Sequence, residues 1–172
     1  MNKGRIEQVG STDEVYEKPA TPFVFDFLGG VNVLPGIARG REIDVEGVDL
    51  PLPCGACDHT GPVDVYVRPG DLRVGEPAQP GFEAEILSAQ RTGPIVRWDV
   101  HAKALDQRLE VEIPHLHHDV KRHAPGQTVR LRLNQYSVFA RVPGKAADAS
   151  AGAGTLPDTV LIGRERERGR LG

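Results

Sequence analysis

The spacing of apolar and polar residues changes character near residue 30. Before that point the signals are helical. Ser11-Thr12-Asp13-Glu14 has the form of a capping box, with Ser11 as N-cap and Glu14 three residues on. It predicts a short helix running to about Lys18 and stopped by Pro19. Thr21-Pro22 offers a second N-cap with proline at the first helical position. TPFVFDFLGG then reads as a short helix that buries Phe23, Phe27 and Leu28 and closes at Gly29 and Gly30. Ahead of both helices, Asn2-Lys3-Gly4 reads as a hairpin turn feeding a strand at 5–9, because Asn and Gly tolerate positive φ. Only Met1 precedes that turn in this sequence, so the strand at 5–9 lacks its hairpin partner and is expected to fray or to be borrowed by another chain.

From Gly30 onward the period is two. REIDVEG alternates Ile43 and Val45 with charged neighbours, and PVDVYVRPGD places Val63, Val65 and Val67 on one face. GFEAEILSA sets Phe82, Ala84 and Ile86 against Glu83 and Glu85, and IVRWDV sets Val96, Trp98 and Val100 against Arg97 and Asp99. RLEVEIP turns Leu109, Val111 and Ile113 inward. QTVRLRLNQYSVFARV does the same with Val129, Leu131 and Leu133, continuing through Val138, Ala140 and Val142. Such alternation is the mark of half-buried antiparallel strands separated by turns. Six or so of them must pair or close to protect their edges. The predicted fold is therefore mainly β: a small OB-like antiparallel barrel preceded by two short helices. The segments are 1–30 (strand and helices), 31–143 (barrel) and 144–172, an Ala/Gly-rich then charged tail that reads as flexible, with TVLIG at 159–163 as a candidate late strand.

Composition narrows the picture further. A chain of 172 residues with 39% apolar content, 20 Gly and 14 Pro favours short strands and many turns over long helices. A net charge of −3 gives no general pull toward nucleic acid or anionic lipid. No run approaches the about 18 apolar residues of a membrane span, and no signal-peptide pattern opens the sequence. Two cysteines, Cys54 and Cys57, are too few for a disulfide scaffold, which points to a reducing, cytoplasmic setting.

The stretch GRIEQVGSTDEVYEKPATPFVFDFLGGVN resembles the segment that ends the nucleotide-binding domain of ABC importer ATPase subunits. VDVYVRPGDLRV and AEILSAQRTGPIVRWDV resemble the TOBE-type regulatory barrel that follows in that family. FDFLGGVNVLPG and GPVDVYVRP make the sulfate/thiosulfate import subfamily the nearest resemblance, which covers roughly residues 1–143. The resemblance implies that the partner of the 5–9 strand belongs to an ATPase core. It also implies that this sequence corresponds to the carboxy-terminal piece of a longer subunit, whether as a short gene, through a misplaced start codon or as an excised fragment.

ATP chemistry is not expected of these residues. A phosphate-wrapping loop needs glycines leading to a Lys, yet Gly144-Lys145 is followed by Ala146 and has Phe139 where the first loop glycine belongs. The family's signature motif, acidic residue and switch histidine are also missing from the sequence. GAGTLP at 152–157 puts Pro157 where a dinucleotide fingerprint needs its third glycine. No cofactor is expected in this chain, ATP and Mg belonging to a full-length subunit.

Three smaller constellations remain. Cys54-Gly55-Ala56-Cys57, with His59 beyond, is a single C-x-x-C in a proline-marked loop: incidental thiols, or a redox or metal pair lacking the second pair that structural zinc needs. His115, His117, His118 and Asp119 form a cluster in which His115 and His117 share a face if the chain is extended. It is either a solvated loop or a binding point for zinc, nickel or copper. Ser88, Arg91 and Thr92 offer hydroxyl and guanidinium donors for an oxyanion, though only loosely like the motif of related molybdate-binding barrels; a polar hairpin turn is the plainer reading. The outward arginines Arg97, Arg130 and Arg132 suggest an OB-type nucleic-acid groove, but aromatics are 5% of the chain and Trp98 lies in the apolar row.

The expected role is a regulatory and dimerisation domain of a sulfate-type ABC importer ATPase, non-catalytic as it stands. Its expected partners are a second copy of itself, the ATPase core and the membrane subunits, at the cytoplasmic face of the membrane. The alternatives are a free-standing oxyanion-binding barrel and, as a minor one, an OB-fold nucleic-acid binder.

Overall fold

The computed structural model describes residues 6–17, 19–49, 51–54, 59–76, 81–141 and 160–164. Two short helices come first, as their caps predict. Helix α1 (Thr12–Glu17) starts with the Glu14 amide donating to Ser11 Oγ at 3.2 Å. Helix α2 (Pro22–Phe27) starts with the Val24 amide donating to Thr21 Oγ1 at 3.2 Å. Its buried residues are Val24 and Phe25, whereas Phe27 is 75% exposed, against the expectation that Phe27 would be buried. A six-residue helix is under two turns, and PFVFDF is apolar on nearly every side, so the pattern does not fix which face turns inward. Residues 6–9, expected as part of a strand, pair with no strand among the described residues. They lie back along the connection between the helices, where the Ala20 amide donates to Gln8 Oε1 at 2.7 Å.

Eleven strands among the described residues build two antiparallel sheets, more than the six the alternation marks. The first sheet contains β1 (Asn32–Arg39), β2 (Glu42–Val45), β3 (Leu52–Pro53), β4 (Thr60–Val67), β10 (Gln135–Ala140) and β11 (Val160–Arg164). Their order is β11-β10-β4-β1-β2-β3, and the outer strands β11 and β3 approach one another, so the sheet curls. A 3-10 turn at Pro69–Asp71 then leads into the second sheet. That sheet comprises β5 (Leu72–Val74), β6 (Phe82–Thr92), β7 (Ile95–Ala102), β8 (Gln107–Pro114) and β9 (Thr128–Leu133), in the order β5-β9-β6-β7-β8. Helix α3 (His118–Arg122) joins β8 to β9. The fold class is thus mainly β, antiparallel and curled, preceded by two helices. The strand at 160–164 pairs with β10, while 144–159 and 165–172 lie outside the described residues.

The alternating residues are the core. Val63, Val65, Val67, Ile86, Val100, Val111 and Leu131 are fully buried, and Trp98 is 1% exposed. Each such side chain contributes on the order of 1.5–3 kcal/mol by leaving water. One irregularity interrupts β6: the register with β7 shifts between Ile86 and Ser88, so Leu87 is the extra residue of a bulge and is left exposed.

Side chains join the sheets where the ladders do not. Asn32, buried at the start of β1, donates from Nδ2 to the Glu110 carbonyl at 2.8 Å and accepts from the Glu110 amide at 2.8 Å. Glu110 lies on β8, an edge strand, so Asn32 supplies the pairing that an edge otherwise lacks. Gln107 Nε2 adds a bond to the Val33 carbonyl at 3.0 Å. The buried Arg68 guanidinium sits over the rings of Tyr16 (4.0 Å) and Phe25 (4.3 Å), tying both helices to the end of β4.

Candidate functional site

The cluster after β8 is the one the structure assembles. His117 is the N-cap of α3, its Nδ1 accepting weakly from the Asp119 amide at 3.4 Å. The turn brings His117 Nδ1 to 3.0 Å from Asp119 Oδ2, and His118 Nε2 to 3.1 Å from Asp119 Oδ1. One carboxylate therefore lies between two imidazoles whose ring centroids are 4.4 Å apart. One ligand atom from each of the three residues falls within 4.8 Å of the others. The Asp119 side chain is 11% exposed and that of His118 67%. Burial of the helix comes from Val120, which packs on the core, and His123, whose ring lies edge-on to Trp98 at 6.1 Å.

His115 does not join this group. The chain is not extended across 115–119, so His115 and His117 share no face. His115 Nδ1 instead lies 3.2 Å from the Pro94 carbonyl on the β6–β7 turn. His118, which the alternation gave no special place, takes its position because α3 begins there.

Beside the cluster is a cleft of about 300 Å³ lined by Arg73, Val74, His117, Asp119, Arg132 and Asn134. Arg73 and Arg132 face each other across the β5–β9 pair. Asp71 is nearby in the chain. Burial pushes its carboxyl above the usual carboxylate range, opposed by Arg73, Arg68 and a hydrogen bond from Asn134. A second cleft, of about 450 Å³, opens beside Asn32 and Glu110 and is lined also by Asp99 and Arg108.

Ser88, Arg91 and Thr92 do not form an anion site. The bulge leaves Ser88 opposite Asp99, and its hydroxyl donates to Asp99 Oδ2 at 2.6 Å. Arg91 lies an odd number of positions farther along the strand, on the opposite face, and its Nε donates to the Gly93 carbonyl at 3.1 Å. Thr92 closes the ladder opposite Ile95. The Asp99 carboxylate beside Ser88 repels an anion at that hydroxyl. Cys54 is buried and disulfide-bonded, which corrects its reading as a free thiol or metal ligand; Cys57 lies outside the described residues. The outer arginines are paired with acids: Arg97 with Glu112 at 2.8 Å, and Arg130 with Asp49. Trp98 is buried and offers no stacking face to that surface.

The architecture of the second sheet meets an independent finding. A family model for a TOBE-like domain matches residues 76–134, which span β6, β7, β8, α3 and β9. That stretch is similar to TOBE-like domains. Helix α3 and its histidines lie within the matched span, whereas Asn32, Arg68 and the first sheet lie outside it.

Similarity to curated proteins extends beyond the matched span. The chain is 42% identical over 139 residues to the sulfate/thiosulfate import ATP-binding protein CysA of Xylella fastidiosa, covering 81% of this chain and 38% of that protein. Against the protein of the same name from Xanthomonas campestris it is 40% identical over 139 residues, with 81% and 38% covered. Against that of Bacillus cereus it is 39% identical over 117 residues, with 66% and 32% covered. The chain thus spans 32% to 38% of the length of these curated relatives, in a C-terminal part of them. No helix among the described residues is long and apolar enough to cross a membrane.

Proposed function

We propose that this chain acts as the regulatory and dimerisation part of the ATP-binding subunit of a sulfate-type ABC importer, working by contact and not by catalysis. The observation that carries this reading is the similarity over 81% of the chain to proteins named for sulfate/thiosulfate import and ATP binding, in a part that contains the TOBE-like stretch. In such an assembly two copies pack together and set the separation of the two ATPase cores. A ligand or partner that prefers one packing then shifts the balance between open and closed ATP sites by its difference in affinity for the two. The helical segment supports a docking role toward an ATPase core, since Ile6, Val9, Tyr16 and Phe27 are all exposed there. The full assembly would lie at the cytoplasmic face of the membrane and couple ATP hydrolysis to oxyanion import.

Light scattering on the purified chain over a range of concentrations should give a dimer mass. Incubation with Mg-ATP should give no turnover above a blank preparation. A monomer at every concentration removes the dimerisation role, and ATP turnover removes the non-catalytic one. Calorimetry with sulfate is the third arm: heat of binding would favour the free-standing anion binder instead.

A further inference from the structure

We infer that His117, His118 and Asp119 form a binding site for a borderline divalent transition metal, for which zinc is the natural probe. This stands apart from the regulatory reading, because it rests on side-chain geometry alone. In a tetrahedral site with metal–ligand bonds of about 2.0–2.2 Å, ligand atoms lie about 3.3–3.5 Å from one another. The two imidazole–carboxylate separations here are 3.0 and 3.1 Å, and all three ligand atoms lie within 4.8 Å. To hold the ion, the two imidazole–carboxylate contacts open by a few tenths of an ångström and the third separation closes from at most 4.8 Å. The backbone contact that the ion displaces at His117 is long, the Asp119 amide reaching Nδ1 only at 3.4 Å.

The donor set and its surroundings select the metal. Two imidazoles and one carboxylate suit zinc, copper and nickel, whereas magnesium and calcium require mostly oxygen ligands. Arg73 and Arg132 line the adjoining cleft with His117 and Asp119, and their positive charge opposes any cation held by charge attraction alone. An ion bound through directional nitrogen bonds tolerates that field. Three protein ligands leave one coordination position for water or a small anion, and the cleft gives it a path. Coordination would fasten the start of α3 to its own first turn, between β8 and β9 of the TOBE-like stretch.

The test is calorimetric titration of the full chain with zinc chloride, with calcium and magnesium chloride as controls. The expected result is one zinc per chain and no heat from calcium or magnesium. His118→Ala is the decisive variant, because that side chain is largely exposed and touches only its neighbours in the cluster, so its circular dichroism should match the parent. It should weaken zinc binding about tenfold or more, as should Asp119→Asn, while His115→Ala should leave it unchanged. At one fixed zinc concentration, zinc should also raise the melting temperature of the parent more than that of His118→Ala. Absence of zinc binding by the parent, parent-like affinity in His118→Ala, or equal losses in His115→Ala and His118→Ala would each overturn the assignment.

Discussion

Truncating Asn32 to alanine tests how the two sheets are held together. The substitution deletes two hydrogen bonds of 2.8 Å each and leaves the Glu110 amide and carbonyl without their partner. At about 1–3 kcal/mol for each of the two backbone groups left unsatisfied, the loss is about 2–6 kcal/mol. The 450 Å³ cleft that Asn32 and Glu110 line admits water to the exposed groups, which moves the expectation to about 2–3 kcal/mol. That is still a large part of the about 5–15 kcal/mol that holds a domain folded. Urea unfolding followed by tryptophan fluorescence suits the measurement, since Trp98 is the only tryptophan and pairs with Val111, next to Glu110 on β8. Asn32→Asp sharpens it: the variant keeps the acceptor for the Glu110 amide but puts a carboxylate oxygen against the Glu110 carbonyl. It should be at least as unstable as Asn32→Ala at neutral pH. Losses under about 0.5 kcal/mol for Asn32→Ala, or an Asp variant as stable as the parent, would refute the view that this side chain replaces a missing ladder.

Two further outcomes are expected. A Cβ at Gly81 would stand 2.3 Å from the Leu131 carbonyl oxygen, so Gly81→Ala must push β6 from β9. It should cost about 2–3 kcal/mol, or roughly 5–10 °C in melting temperature, while Gly70→Ala, with open space around it, should be near neutral; equal melting points for the two would contradict this. Tyr66 packs edge-on against Phe25 and Phe139, and burial, then Asp64 and Asp26, raise its hydroxyl above the ordinary tyrosine range against the pull of Arg141. The neutral phenol is thus favoured in the folded chain. Its contribution is complete below the ordinary value of about 10 and is lost as pH rises through the folded one. Tyr66→Phe should flatten that alkaline loss of stability in melts across pH 9–11, and an unchanged slope would count against it.

The sequence exposes those strands whose burial alternates, because for a strand with one wet face the period of two is the burial itself. Val63, Val65 and Val67 are legible for that reason, as are Leu109, Val111 and Ile113. Strand β1 is not, since Pro35 and Gly36 sit in its middle and normally argue against a strand. Gly36 is needed there because a Cβ would meet the Asp44 carbonyl oxygen at 3.0 Å. Strand β10 is marked by Val138 and Ala140 in the sequence, but its burial does not alternate: Tyr136, Ser137, Val138 and Phe139 are all buried. At the candidate site the residue types are visible in HLHHD, but which histidines converge depends on α3 beginning at His118. Asn32 gives no sequence signal at all, because its partner is a backbone group 78 positions away.

The order in which the chain visits its sheets has a mechanical consequence. It lays down β1 to β4, leaves to build β5 to β9, and returns for β10, which pairs with β4. The points of exit and return are adjacent, with Leu72 opposite Leu133 and the Asn134 amide bonded to the Asp71 carbonyl at 2.8 Å. Tension between the helices and β11 therefore runs through the first sheet and bypasses the second, which hangs from the load path as a closed loop. A pull on the ends would strip β10 and β11 while the inserted sheet, with α3 on it, stayed at rest.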